Sequence, residues 1–200
     1  MNVICAPAKT ELMVKNSRFI AELFSVSDQK EAREKLHELK EQYKDATHVV
    51  HAFVIGKAGE VNGMSDDGEP SGTAGRPVLD VLKGSGITNV LLTVTRYFGG
   101  TLLGTGGLVH AYGDSAKAVL AVCKTEPLVE KKRFSLSATY GNYEEIKRLY
   151  QTYHIEQLVE QYDVAVKAEG VIHADEAEDF CRKTNNLTKG KTEVVLLPCI

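Results

Sequence analysis

The spacing of apolar positions changes several times along the 200 residues. Val14 to Val26 reads as a strand region. Ser27 then stands at an N-cap position before a charged segment whose Ala32, Leu36, Leu39 and Tyr43 share one helical face. The run from His48 to Ile55 is apolar, β-branched or aromatic and stops at Gly56, which predicts a buried strand followed by a polar turn from Lys57 to Gly63. Pro77 suits the first turn of a helix packed through Val78, Leu79, Val81 and Leu82 and ended by Gly84 and Gly86. Asn89 to Tyr97 predicts a strand. After the loop RYFGGTLLGTGG, the positions Leu108, Tyr112, Ala116, Val119, Leu120 and Cys123 mark one face of a long helix.

A different rhythm begins after TEPLVEKKR, and the domain boundary is placed there, giving domains 1–130 and 131–200. Phe134, Leu136, Ala138 and Tyr140 alternate as a strand. Asn142 and Glu145 offer a cap for a helix with the stripe Tyr143, Ile146, Leu149, Tyr150 and Tyr153. Ile155 to Glu160 and Val164 to Val171 read as strands, Asp175 opens an acidic-ended helix, and Glu193 to Leu197 closes as a strand. The order βαββαβ is the ferredoxin-like arrangement. The fold class expected is α+β in two domains.

Composition narrows the function classes. With 24 Lys and Arg against 27 Asp and Glu, the net charge is -3, so phosphate binding has to come from a local patch. No apolar run approaches the ~18 residues a membrane helix needs, and the start lacks a secretory leader, so a cytoplasmic location without membrane association is expected. Cys5, Cys123, Cys181 and Cys199 form no CxxC pair, which matches neither a zinc module nor a disulfide scaffold.

Candidate chemistry gathers where 11 of the 17 glycines fall, from Gly68 to Gly113. Gly104, Gly106 and Gly107 stand at a helix start, where unpaired N–H groups and the helix dipole favour an anion. Glycines serve tight turns and close packing equally well, and the motif is neither a Walker loop nor a dinucleotide fingerprint. In DDGEPSGTAGRP, Asp66, Asp67 and Glu69 are hard-oxygen donors without EF-hand spacing. Ser71, Thr73 and Arg76 make the GTAGR end the more natural anion site. Arg96 and Tyr97, followed by Phe98, bring a cation beside aromatic rings, the ingredients for base stacking. His48 and His51 point to opposite strand faces and do not chelate one ion, although His48 is a candidate cleft residue. No metal site, no cofactor and no catalytic residue is assigned.

The strings SDDGEPSGTAGRPVLDVL and NVLLTVTRYFGGTLLGTGGLVHAYG resemble the long signature of the IMPACT domain, and KNSRFIAELF fits the same domain. The segment after Lys131 resembles the smaller C-terminal domain of bacterial YigZ-type members, so the chain is similar to the YigZ/IMPACT family along nearly its whole length. The resemblance implies an N-terminal domain with a fold shared by a ribosomal-protein domain, exoribonuclease PH and the GHMP kinases. It also implies a C-terminal domain like a ferredoxin-like domain of elongation factor G. Eukaryotic relatives regulate translation through a kinase-activating partner and an additional N-terminal module. The IMPACT-like stretch here begins almost at Met1, so that partner is not carried over. His110 stands where the family commonly places Arg, which makes a positive charge there conditional on pH.

Together these readings favour a non-catalytic RNA-binding or ribosome-associated protein, a regulator of translation, over an enzyme acting on a nucleotide or phosphorylated metabolite or a protein-interaction regulator. The nucleic-acid or phosphate contacts expected are Arg76, Arg96, Tyr97, Gly104, Gly106 and Gly107. The candidate cleft adds His48, Asp66, Asp67, Glu69, Ser71, Thr73 and His110. The sequence leaves the oligomeric state open.

Overall fold

The computed structural model describes residues 1–198, and Cys199 lies outside the described residues. Two compact α+β units divide the chain, Met1–Leu128 and Val129–Ile200. The first contains β1 (Asn2–Ile4), β2 (Ala8–Val14), β3 (Ser17–Ser25), α1 (Gln29–Gln42), β4 (His48–Ile55), β5 (Val61–Ser65), α2 (Gly75–Gly84), β6 (Val90–Tyr97), α3 (Gly104–Val122) and β7 (Thr125–Pro127). The second contains β8 (Lys131–Ala138), α4 (Tyr140–Tyr150), β9 (Ile155–Tyr162), β10 (Val166–His173), α5 (Ala174–Leu187) and β11 (Val194–Pro198).

In the first unit, five antiparallel strands lie in the order β2-β3-β6-β4-β5. The central strands β3, β6 and β4 are apolar on both faces because both faces are covered. Phe19, Ala21 and Leu23 with Val50, Ala52, Val90, Leu92 and Val94 pack against α2 and α3. Ile20 and Val49 pack against Leu39 and Tyr43 of α1 on the other side. That two-sided burial explains why the sequence shows continuous apolar runs here rather than strict alternation.

The strand region expected from Val14 to Val26 corresponds to β3 and takes in only the last residue of β2. Lys15 and Asn16 adopt left-handed backbone angles, φ 44° and 67°, and turn the chain in two residues. The outer strand β2 escapes the hydrophobic pattern because every second residue is exposed, including Lys9, Glu11 and Met13. Strand β5, another edge, lies partly in the stretch read as a polar turn, and the small β1-β7 sheet leaves no apolar run to read. Asp28 rather than Ser27 caps α1, accepting from the N–H groups of Lys30 and Glu31, while Glu31 bonds back to Ser27.

The second unit has its four antiparallel strands in the order β11-β8-β10-β9 with α4 and α5 against one face. Its element order is βαββαβ, as expected. Phe134, Tyr143, Ile146, Ile172 and Phe180 form its core. The rings of Phe134 and Phe180 meet edge-on at 5.1 Å. Thr139 rather than Asn142 caps α4, accepting from the N–H of Asn142.

One glycine of the RYFGG stretch is set by close packing. A Cβ on Gly99 would stand 2.0 Å from the backbone carbon and oxygen of Asn16. Gly99→Ala therefore forces the end of β6 away from the β2-β3 turn. The expected cost is about 2 kcal/mol, read from urea unfolding midpoints, and an unchanged midpoint would contradict the packing described.

Candidate functional site

The two glycine-rich helix starts of the first unit look alike in sequence and differ in structure. At the start of α2 the carboxylate of Asp66 is already in place. Its Oδ1 accepts from the N–H groups of Ala74 and Gly75 at 3.1 and 2.8 Å, and its Oδ2 accepts from Gly72 N–H at 2.8 Å. Burial alone would raise the Asp66 pKa. The three N–H donors outweigh it and hold the carboxyl below its ordinary value of 3.8. The anion that the GTAGR stretch attracts is thus supplied by the loop itself. Thr73 is buried and donates its hydroxyl to the Pro70 carbonyl at 2.6 Å, Ser71 is exposed, and Arg76 is exposed and bonded to Asp80 at 2.9 Å.

At the start of α3 no side chain among the described residues plays that part. The residue before it, Leu103, provides no side-chain cap, and the first turn carries no acidic residue. The N–H groups of Gly104, Thr105 and Gly106 have no acceptor within the helix by helix geometry, whereas that of Gly107 falls to the carbonyl of the cap residue Leu103. Gly104, Thr105 and Gly106 are exposed. Gly104 has φ +74°, which calls for glycine, but a Cβ on Gly106 would meet nothing within 4 Å. Folding does not explain Gly106.

Beside this helix start lies a cavity of about 440 Å³ lined by His48, Glu69, Arg96, Phe98, Gly104 and Thr105, together with the apolar side chains of Leu102, Leu103 and Leu108. Its wall holds a buried ion pair. Glu69 Oε1 accepts from Arg96 Nη1 at 2.6 Å and from the Tyr112 hydroxyl at 2.8 Å, with His48 Nε2 at 3.9 Å. The side chains of Arg96 and Glu69 are only 6% and 4% exposed. Burial and the adjacent Glu69 carboxylate push the Tyr112 hydroxyl far above the ordinary tyrosine pKa, which keeps it a donor. Arg96 also stacks against Phe19 and Phe98, each ring centre 5.5 Å from its guanidinium carbon.

The structure brings together His48, Glu69, Arg96 and Gly104 of the sequence-selected residues and separates others. Arg96 and Tyr97 are neighbours on a strand and face opposite sides of the sheet. Tyr97 packs toward α1 and donates to Asp45 at 3.1 Å. Asp67 binds Lys40 and accepts the Val49 N–H at 2.7 Å. Burial would raise its pKa, but these donors lower it. His110 is exposed farther along α3. His51 is half-buried on the other sheet face from His48, and burial lowers its pKa. Sequence reasoning passed over Leu102, Thr105 and Tyr112, whose types carry no signal of a site. Phe98, a stacking ring in the sequence reading though outside its named contacts, is 45% exposed at the cavity.

Two predictions follow from these bonds. Arg96→Ala leaves Glu69 buried without its cation and should cost about 3–5 kcal/mol, measured by denaturant unfolding. A loss no larger than that of an exposed Arg76→Ala control would refute the pairing. Asp66 has a depressed folded pKa, so its stabilisation is present above the unfolded value and fades as pH falls through the folded one. Stability measured from about pH 5 down to about pH 2 should fall less steeply in Asp66→Asn than in the parent, and parallel curves would count against the cap.

Comparison with known proteins places these features in a family. The model of the Impact N-terminal domain matches residues 15–120, which contain both helix starts and the cavity. The chain is 36% identical over 187 residues to the IMPACT family member YvyE of Bacillus subtilis, covering 92% of this chain and 85% of that protein. It is 31% identical over 194 residues to the IMPACT family member YigZ of Escherichia coli, covering 96% and 95%. A crystal structure of a hypothetical protein aligns over 100% of this chain and 97% of that one, with 31% identity and a TM-score of 0.68. A similarity that spans both units, together with the domain match over the glycine-rich segment, means that the chain belongs to the IMPACT family.

Proposed function

We propose that this protein is a non-catalytic RNA-binding protein that acts on translation, free RNA or the ribosome being its partner. In this reading it holds one nucleotide of a single strand in the cavity beside Phe98. The observation that carries the reading is the joint placement of an uncapped, exposed helix start and a half-exposed aromatic ring in one cavity. The base stacks on Phe98, and a phosphate takes the N–H groups of Gly104 to Gly106. Arg96 acts here as the support beneath the ring, since its charge is matched by Glu69. The translational role that the family resemblance implies supports the same reading, as an analogy.

A second reading has its own observation. Glu69 and His48 line the same cavity as Gly104, so a free nucleotide or a phosphorylated metabolite would meet a carboxylate and an imidazole as well as the helix start. Asp66 and Asp67 take no part in it, because their oxygens are engaged by backbone N–H groups and Lys40.

The test is a fluorescence titration of the purified chain with short single-stranded RNA, with ribosomes and with nucleoside monophosphates at two salt concentrations. Phe98→Ala, a change at an exposed ring, should weaken RNA binding about tenfold, within the range for loss of one stacked base. Gly106→Ala should weaken it too while leaving the folded state unchanged or more stable by up to about 1 kcal/mol. With few free cations at the site the salt slope should be shallow, on the order of -1. Unchanged isotherms in both variants would overturn the proposal, and monophosphates binding as tightly as RNA would favour the second reading.

A further inference from the structure

The second unit carries a cluster that the RNA reading does not use. Among the described residues, His154, His173 and Glu176 each offer a ligand atom, and these atoms all lie within 4.8 Å of one another. They meet through topology rather than sequence spacing. Ile155 pairs with Ile172 across β9 and β10, so His154 and His173 stand side by side at the ends of these strands. Glu176 reaches them from the first turn of α5. Its carboxylate fixes His154 twice, accepting from the backbone N–H at 2.9 Å and meeting ring Nδ1 at 2.8 Å. The two imidazoles stack in parallel, with centroids 4.5 Å apart and planes 4° apart.

The surroundings favour a cation. Lys131 pairs with His173 across β8 and β10, but its ammonium is bound by both oxygens of Glu156 at 2.8 Å. His173 occupies the cap position of α5 and yet makes no capping hydrogen bond with its side chain, so its ring has no role in the helix start.

We propose that His154, His173 and Glu176 form a binding site for a divalent transition-metal ion of the zinc class. Two imidazole nitrogens and one carboxylate oxygen suit zinc, nickel or cobalt and not magnesium or calcium. Ligand atoms around tetrahedral zinc stand roughly 3.4 Å apart. The His154 side chain is 71% exposed, and turning its ring out of the stack with His173 would aim both imidazole lone pairs at one ion. Three protein ligands leave a fourth position for water or an anionic group. A bound ion would tie the ends of β9 and β10 to α5.

The experiment is calorimetric titration of the full, untagged chain with zinc chloride near neutral pH, and separately with magnesium chloride, paired with thermal unfolding. The expected result is one zinc per chain, no response to magnesium, and a rise of roughly 10 °C in the unfolding of the second unit when zinc exceeds its Kd about a hundredfold. His154→Ala and Glu176→Gln, checked for retained secondary structure by circular dichroism, should each weaken zinc binding at least about tenfold. Absence of zinc uptake overturns the proposal. So does uptake that these variants leave unchanged, which would point to the cysteine thiols instead.

Discussion

A carboxylate taken out of water is costly unless it is neutralised and its lone pairs are used. Glu69 meets that condition by drawing three elements of the first unit to one point: Arg96 from β6, Tyr112 from α3 and, at longer range, His48 from β4. The loop between β5 and α2 is thereby pinned to the middle of the sheet. Phe19 and Phe98 flank the guanidinium, so the ion pair is packed by rings rather than by solvent. The cavity, the direction of α3 and the exposure of Phe98 all depend on where this carboxylate sits.

The contrast between the two glycine-rich helix starts gives the site its character. Both present unpaired N–H groups after a loop of small residues, and the physics of the helix terminus is the same at each. Only the neighbouring chain differs. Asp66 folds back to satisfy α2, and no acidic side chain does so for α3. The anion site proposed at α3 rests on this contrast with α2, whose terminus is already occupied. The metal-ligand cluster of the second unit follows a related logic: a strand pairing brings together His154 and His173, and a helix start supplies Glu176.

Much of the fold was legible because buried strands and amphipathic helices leave periodic apolar positions. The βαββαβ order of the second unit and the central elements β4, α2, β6 and α3 were read from that pattern, although α3 begins at Gly104, four residues before its apolar stripe. The edge strands β2 and β5 were not read, since half their residues face water and the turn at Lys15 and Asn16 has no glycine to mark it. The family signature and most of the cavity lining fall on the same segment. The signature could not show that Arg96 is buried while Arg76 is exposed, or that Asp66 closes α2, because these depend on which side chains meet across the sheet. His154 and His173 were invisible as a pair for the same reason. Sequence distance hides what antiparallel pairing joins.

The small sheet made by β1 and β7 bears on how the chain emerges during synthesis. Val3 pairs with Glu126, so the opening strand of the first unit, which also bonds Gly86 and Thr88 through Asn2, lacks its antiparallel partner until nearly the whole unit has been made. At the usual pace of about 5–20 residues per second, that wait lasts on the order of ten seconds. During it the five-stranded sheet can assemble from β2 through β6, all of which lie between the two partners. The β1-β7 pairing then acts as a late latch, closing the unit's first strand over its last and giving a growing chain a defined moment at which this unit is complete.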